Sequence, residues 1–135
     1  MNDSLQSQLS IADCTPNFWE FIRLLRMNRD VENGFIEHAD ISFEDQIQYM
    51  EKHAKNYRVC LYNKEACGYI GVVDNDLRIC VSPKFWGKGV GTFMLEETKK
   101  VWPNPQVKIK VSNLASIHLF KKSGFEEKYL IMEAK

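Results

Sequence analysis

Three alternate glycines ahead of an apolar helix are the strongest chemical signal in this sequence. Gly87, Gly89 and Gly91 stand in the run Trp-Gly-Lys-Gly-Val-Gly, and the apolar segment Phe93–Val101 follows. Because glycine has no side chain, such a turn can bring its backbone N–H groups close to a ligand. The first turn of a helix adds unpaired N–H donors and the positive end of the helix dipole. The pattern therefore predicts a binding site for a phosphate or pyrophosphate group.

Two well-known phosphate-binding patterns do not fit this segment. It lacks Gly-x-x-x-x-Gly-Lys-Ser/Thr, and no Gly-x-Gly-x-x-Gly opens the first βαβ unit of the chain. We therefore do not expect a nucleoside triphosphate or a dinucleotide as the ligand. An ordinary strand-to-helix turn without any ligand is the alternative interpretation of the glycines.

The composition predicts one globular domain, residues 1–135, without metal or disulfides. A hydrophobic fraction of 44% can supply a core for a chain of this length. Lys+Arg and Asp+Glu both number 18, so the net charge of +0 offers no basic surface for nucleic acid. The four cysteines and three histidines have no metal-ligand spacing, and neither a signal peptide nor a membrane span is recognisable. We expect a reduced, cytoplasmic protein with no nucleic-acid or membrane partner.

The elements that must position the glycine turn predict a mixed α/β sheet. Thr15 and Ser42 are suitable N-caps for the first two helices. Short turns at 63–65 and 74–75 predict an antiparallel three-stranded meander in the middle of the chain. The order indicates a central, mostly antiparallel mixed sheet flanked by helices. The predicted strands are 5–11, 57–62, 66–73, 76–82, 107–111 and 125–132, and the predicted helices are 16–27, 42–55, 91–101 and 113–122.

Two segments, in this order, resemble the GNAT superfamily of N-acetyltransferases. The segment Trp86–Gly91, after a strand that ends in Val-Ser-Pro, looks like the acetyl-CoA motif of that family. The segment Val111–Phe125, from Val-Ser-Asn to Lys-Lys-Ser-Gly-Phe, looks like its second motif. The resemblance implies a GNAT-like acyl-CoA N-acyltransferase fold, with acetyl-CoA as the cosubstrate and no metal.

The resemblance also implies how acetyl-CoA would bind. The strand end Ile79–Val81 would diverge from Val107–Val111, so that the pantetheine arm lies between them and pairs with backbone groups. The glycine turn would hold the pyrophosphate, and Lys88 would add positive charge. Asn113 would lie near the pantetheine arm. The residues expected to contact the cosubstrate are Ile79, Cys80, Val81, Gly87, Lys88, Gly89, Val90, Gly91, Thr92, Asn113, Ser116 and Phe120.

The implied reaction is transfer of the acetyl group from the thioester to a primary amine, which attacks only in its neutral form. A backbone N–H near Val81 would stabilise the oxyanion that forms. Asp76, at the start of the cofactor strand, and Glu37, in the loop between the first two helices, are the predicted catalytic bases. A plain role as solvated turn or loop residues is the alternative for both.

Two residues depart from the family pattern. Trp86 stands where the family usually has Arg or Gln, which removes one phosphate donor but leaves the backbone turn. Phe120 stands where many members carry the tyrosine that protonates the departing coenzyme A. The thiolate would then leave unaided, which a thiol pKa of about 8.5 permits, or another group would supply the proton.

The acceptor is predicted to be a small-molecule amine. The segment Arg26–Val31, with Phe35-Ile36 and Ile41-Ser42, faintly resembles acetyltransferases of amino sugars linked to nucleotides. Arg26 and Arg29 would suit a phosphate-bearing acceptor, whereas offsetting a helix dipole is their structural alternative. A protein N-terminus or lysine as acceptor, and a catalytically weakened acyl-CoA-binding module, are the alternative functions. Both a monomer and a homodimer are compatible with the sequence.

Overall fold

A four-stranded antiparallel sheet lies at the centre of the structure, a computed structural model. It describes residues 8–32 and 40–135, apart from the side chains of Arg29 and Glu32. Within these residues the strands follow the chain order β1-β2-β3-β4 across the sheet. Their bounds are β1 Leu9–Asp13, β2 Tyr57–Tyr62, β3 Glu65–Val73 and β4 Asp76–Val81. The predicted α/β class and the central antiparallel meander are confirmed.

Four of the helices begin within one to three residues of a predicted start, whereas the short helix Arg29–Glu32 lies in the stretch after Met27 that the sequence predicts to be a loop. The helices are α1 Trp19–Arg26, α2 Arg29–Glu32, α3 Phe43–His53, α4 Val90–Thr98 and α5 Leu114–Lys122. The Ser42 hydroxyl caps α3 by accepting the Asp45 N–H at 3.0 Å. Thr15 precedes a short 3-10 turn, Pro16–Phe18, that leads into α1, and its side chain makes no capping bond.

Helices cover both faces of the sheet, which explains the continuous apolar runs in β2 and β3. On one face α4 and α5 pack on the strands, and on the other α1 and α3 do so. The first cluster contains Leu9, Cys60, Cys67, Ile70, Leu77, Phe85, Val90, Met94, Leu95 and Phe120. The second contains Cys14, Ile22, Leu25, Val31, Met50, Tyr57, Val59, Tyr69, Val73 and Cys80.

The predicted strand at 107–111 is not formed. Gln106 makes a single parallel bridge to Asp76, and no ladder continues from it within the described residues. Val107 and Ile109 still pack against the core, which explains the alternating sequence pattern. A buried face suits a strand, but a ladder also needs a neighbour at hydrogen-bonding distance. The segment after Gln106 diverges from β4, so residues 107–111 do not come within hydrogen-bonding distance of that strand in a ladder.

The predicted last strand, 125–132, is also wrong. Phe125 packs on the core, but the residues after it are exposed, with Tyr129 at 85% and Met132 at 84%. The segment that would have been its partner, 107–111, forms no ladder, which removes the template for pairing. The first strand likewise begins at Leu9 and continues to Asp13, later than predicted, and residues 5–7 of that prediction lie outside the described residues.

Among residues 8–32 and 40–135, no helix has both the length and the apolar character needed to cross a bilayer.

Replacing Ser42 by Ala should lower the free energy of unfolding by about 1 kcal/mol, because the Asp45 N–H loses its acceptor. Urea unfolding followed by circular dichroism measures the change. Ser42→Asp keeps an acceptor oxygen at the cap and is the matched control, expected to unfold close to the wild type. The same loss in both variants would contradict the capping role.

Candidate active site

A cavity of about 760 Å³ opens beside the carboxyl end of β4. The end of β4, the glycine turn, the first turn of α4 and the start of α5 form its walls. All but two of the residues predicted to contact the cosubstrate line it, namely Ile79, Cys80, Val81, Gly87, Gly89, Val90, Gly91, Thr92, Asn113 and Ser116. The fold therefore brings together two motifs that are separated by about twenty residues in the sequence.

The hydrogen-bond register of β4 turns alternate peptide groups away from β3. The Ser82 N–H donates to the Cys67 carbonyl at 2.8 Å, so these two residues form a bonded pair. Bonded and non-bonded pairs alternate along an antiparallel ladder. The next bonded pair is therefore Tyr69 with Cys80. Between the two bonded pairs, the N–H and C=O of Val81 point away from β3 towards the cavity.

The same orientation recurs at every second residue along β4. The Leu77 N–H donates to the Gln106 carbonyl at 2.7 Å, on the side away from β3. This bond shows independently which residues of β4 direct their peptide groups outward. Ile79 must then also present its peptide groups on this side. Because the segment after Gln106 diverges from β4, no strand among residues 8–32 and 40–135 lies beside the outer edge at Ile79 and Val81. An extended ligand with amide groups could pair with this edge as an added strand.

The glycine turn forms an open cradle of backbone groups. Gly87 and Gly89 both have φ of +78°, a conformation that side chains disfavour. A Cβ atom at either position would meet nothing within 4 Å, so the space above the turn is open. The first bond that closes onto α4 is from the Phe93 N–H to the Gly89 carbonyl at 3.0 Å. The preceding N–H groups, from Val90 to Thr92, suit an anion such as the pyrophosphate of coenzyme A.

Asn113 contributes to both the fold and the cavity. Its side-chain oxygen accepts the Ser116 N–H at 3.2 Å and caps α5, while the residue lines the cavity. Because the cap uses the oxygen, the two amide N–H donors are left for a ligand. This arrangement fits a carbonyl oxygen of the pantetheine arm.

Cys80 lines the cavity but is a neutral thiol. Burial raises its pKa to about 12, although the nearby Arg26 charge acts in the opposite direction. The reactive form of cysteine is the thiolate, so Cys80 is unsuited to carry an acetyl group at neutral pH. The site therefore favours direct transfer from the thioester to the acceptor.

Only one of the two predicted catalytic carboxylates, that of Asp76, lies in the described part of the chain. Asp76 lies at the start of β4, with its carboxylate 3.6 Å from the Arg78 guanidinium, and it does not line the cavity. Arg78 also donates to the Tyr49 hydroxyl at 2.9 Å. Glu37 lies outside the described residues. A catalytic role for either carboxylate stays a prediction.

Lys88 and Phe120 are the two predicted cosubstrate contacts that do not line the cavity. The Lys88 ammonium lies 5.7 Å from the centre of the Tyr62 ring. Phe120 is 3% exposed and packs edge-on against Phe125, with ring centroids 5.0 Å apart. Phe120 is therefore a core residue in this structure.

Sequence reasoning missed several residues of the wall. Two of them, Ala115 and Leu119, lie on α5 at helical spacing on the same side as Asn113, so periodicity could have identified them. Asp30 and Val31 on α2 carry no such signal, because only the folded chain places α2 beside the end of β4. The missed residues are Asp30, Val31, Phe85, Trp86, Ser112, Ala115 and Leu119. In the part of the chain that the structure describes, no group of three His, Cys, Asp or Glu residues could hold a metal ion.

Comparison with known proteins identifies the same fold. The model of the Acetyltransferase (GNAT) family matches residues 19–125. None of the curated proteins matches the sequence. A spermidine N-acetyltransferase from Vibrio cholerae, solved with CoA and spermine, has a TM-score of 0.77 at 23% identity, covering 94% of this chain and 86% of that one.

Two further solved structures differ in their acceptors. A ribosomal-protein-alanine N-acetyltransferase from Brucella melitensis has a TM-score of 0.77 at 21% identity, covering 89% of this chain and 86% of that one. An aminoglycoside N-acetyltransferase in complex with CoA has a TM-score of 0.68 at 16% identity, covering 94% of this chain and 93% of that one. At these identities the likeness establishes the fold and leaves the acceptor open.

Asn113 variants should separate the cap from the ligand contact. Asn113→Ala removes both, so we expect a loss of about 1 kcal/mol in unfolding free energy and weaker binding of coenzyme A. Asn113→Asp keeps an acceptor for the Ser116 N–H but has no amide donors. It should unfold like the wild type and bind coenzyme A about tenfold more weakly, as lost donors to a ligand predict. Wild-type affinity of the Asp variant in calorimetry would contradict the contact.

The cysteines should resist alkylation. All four are buried and free, so the reagent has little access to their sulfur atoms. Burial also raises the pKa of Cys14 to about 11, whereas the hydrogen bond with Cys60 lowers the pKa of Cys67. Iodoacetamide at pH 7.5 should therefore leave the intact mass of the folded protein unchanged, while the same treatment in urea should add four adducts. Rapid labelling of Cys80 in the folded protein would show a reactive thiolate and would reopen a covalent route.

Proposed function

Because the chain belongs to the Acetyltransferase (GNAT) family, we propose that it transfers an acetyl group from acetyl-CoA to the primary amine of a small molecule. The observation that carries this proposal is one cavity that joins the glycine turn to the open outer edge of β4. Acetyl-CoA has a pyrophosphate for the turn and an extended arm with amides for the edge. Both halves of the site therefore fit one ligand.

Each part of the cosubstrate has a partner of matching chemistry. The N–H groups of the turn and of the first turn of α4 would bind the pyrophosphate, assisted by the helix dipole. The amides of the pantetheine arm would pair with Ile79 and Val81. The Asn113 amide would donate to a carbonyl of the arm. This binding would place the thioester beyond Val81, near Cys80.

The reaction would proceed by direct attack. The lone pair of the neutral amine forms a bond to the thioester carbon, and the oxygen becomes an oxyanion that an outward N–H of β4 can stabilise. The C–S bond then breaks, the amine loses a proton, and coenzyme A leaves as a thiolate or thiol. Ser116 lines the cavity and could donate a hydrogen bond to the departing sulfur, which would take its proton from water, whereas His118 is exposed and does not line the cavity.

The base that accepts the amine proton is proposed to be Glu37 or Asp76. Asp76 is paired with Arg78 and does not line the cavity. It could therefore accept the proton of the amine only through a chain of water molecules. Glu37 lies in the sequence a few residues after Val31, which lines the cavity. Glu37→Gln and Asp76→Asn should distinguish them, because only the true base shifts the pH–rate profile.

The acceptor is proposed to be a small amine rather than a protein. The Asp30 carboxylate at the cavity wall would attract an ammonium group, and Arg26, close to Cys80, would suit a phosphate-bearing amino sugar. The spermidine and aminoglycoside enzymes among the similar structures support an amine of this size. The alternative is a protein N-terminus, which the ribosomal-protein-alanine enzyme supports.

We further propose a reducing, cytoplasmic location, which the four free and buried cysteines support. The balanced charge supports the absence of a nucleic-acid or membrane partner. A monomer or a homodimer would suit this function equally.

Release of free coenzyme A tests the function. Purified protein, acetyl-CoA and one amine at a time are combined, using spermidine, an aminoglycoside, a nucleotide-linked amino sugar and a peptide with a free N-terminal alanine. Turnover with a small amine supports the proposal, and turnover with the peptide alone favours the alternative. Binding of acetyl-CoA without release for any amine indicates a weakened acyl-CoA-binding module. No binding at millimolar acetyl-CoA overturns the proposal.

Gly89→Glu should abolish binding of acetyl-CoA, because its side chain and negative charge would enter the open cradle. Gly89→Ala is the control for backbone strain: with φ at +78° it should cost about 1 kcal/mol in stability but leave the cradle open. Calorimetric titration measures both affinities. A Glu variant that binds like the wild type would show that the phosphates lie elsewhere.

A further inference from the structure

Trp86 occupies an acceptor that the cosubstrate arm would need. Its indole N–H donates to the Val81 carbonyl at 2.9 Å, and the residue lines the cavity. The register of β4 directs this carbonyl away from β3, towards the open edge. The indole therefore lies at the position where the first backbone pairing of an added strand would form.

Trp86 follows a residue that is packed in the core, and its own half-exposed indole makes one hydrogen bond, to the Val81 carbonyl. Phe85 is 5% exposed in the core, and the Lys84 ammonium lies 2.9 Å from the Glu65 carboxylate of β3. The Trp86 side chain is 54% exposed. An exposed side chain changes rotamer within nanoseconds. The indole can therefore leave the Val81 carbonyl without any movement of the glycine turn.

We propose that Trp86 is a latch on the cosubstrate slot, an inference that depends on the proposed function. In the closed position its indole N–H satisfies the Val81 carbonyl and its ring obstructs the edge of β4. The pantetheine arm must displace the indole before it can pair with Val81. A ligand that reaches only the glycine turn has no need to do so. The latch thus penalises binding of the arm and leaves binding of the phosphates unaffected.

Trp86→Phe gives a direct test, because it keeps an aromatic ring and removes the N–H. Loss of the competing bond should tighten binding of coenzyme A by about three- to tenfold, the range expected for one net hydrogen bond. ADP has the pyrophosphate but no pantetheine arm, so its affinity should not change. Calorimetry with both ligands on both proteins measures the four affinities, and urea unfolding checks that the variant is folded.

Each result of this experiment has a clear meaning. Tighter binding of coenzyme A with unchanged ADP affinity supports the latch. Unchanged or weaker binding of coenzyme A, or equal tightening of both ligands, overturns it while the cosubstrate site stands. Failure of both proteins to bind coenzyme A overturns the proposed function, and the latch with it.

Indole N–H resonances give a second readout that does not depend on affinity. The chain has three tryptophans, and the resonance missing from Trp86→Phe identifies Trp86. Coenzyme A should shift this resonance and accelerate its exchange with water, whereas ADP should leave it in place. The other two indoles serve as internal controls, because Trp19 donates to the Cys14 carbonyl and Trp102 packs under Arg58. A Trp86 resonance that coenzyme A leaves unchanged would contradict displacement.

Discussion

The site depends on the point at which β4 loses its outer neighbour. The Leu77 N–H is bonded to Gln106, but the chain then departs, and the peptide groups of Ile79 and Val81 face a cavity instead of a strand. Backbone donors and acceptors need partners, and leaving one buried without a partner costs about 1–3 kcal/mol. The Val81 carbonyl has the Trp86 indole N–H as a partner, but the other outward groups of Ile79 and Val81 favour a ligand that can act as a strand. The glycine turn would hold the pyrophosphate end of that ligand, and Asn113 would hold a carbonyl of its pantetheine arm.

Most of the proposed binding is made by backbone groups, and this has consequences for sequence and chemistry. The cradle requires glycine at two positions with positive φ, whereas the strand edge requires only the register of β4. Many side chains can therefore change while the backbone geometry of the site is kept. With Cys80 neutral and Phe120 in the core, positioning of the two reactants, rather than a protein nucleophile, would supply much of the rate.

The sequence predicted the local features well and the non-local ones less well. The glycine turn, the Ser42 cap and the meander depend on residues close in sequence, and the structure contains all three. Apolar and polar residues alternate in segment 107–111 because Val107 and Ile109 pack against the core. Whether the segment pairs with β4 depends on where the chain diverges from that strand after Gln106, which a local sequence pattern cannot show. The position of Asp30 at the cavity wall likewise follows from tertiary placement.

Amide hydrogen exchange at the edge of β4 tests the central claim most directly. Without ligand, the N–H groups of Ile79 and Val81 should exchange quickly, whereas the Cys80 N–H, bonded to β3, should exchange slowly. Saturating acetyl-CoA should slow exchange at Ile79 and Val81 by an order of magnitude or more and change Cys80 much less. Binding of acetyl-CoA that leaves Ile79 and Val81 as fast as before would contradict the account, because the arm would then not pair with this edge.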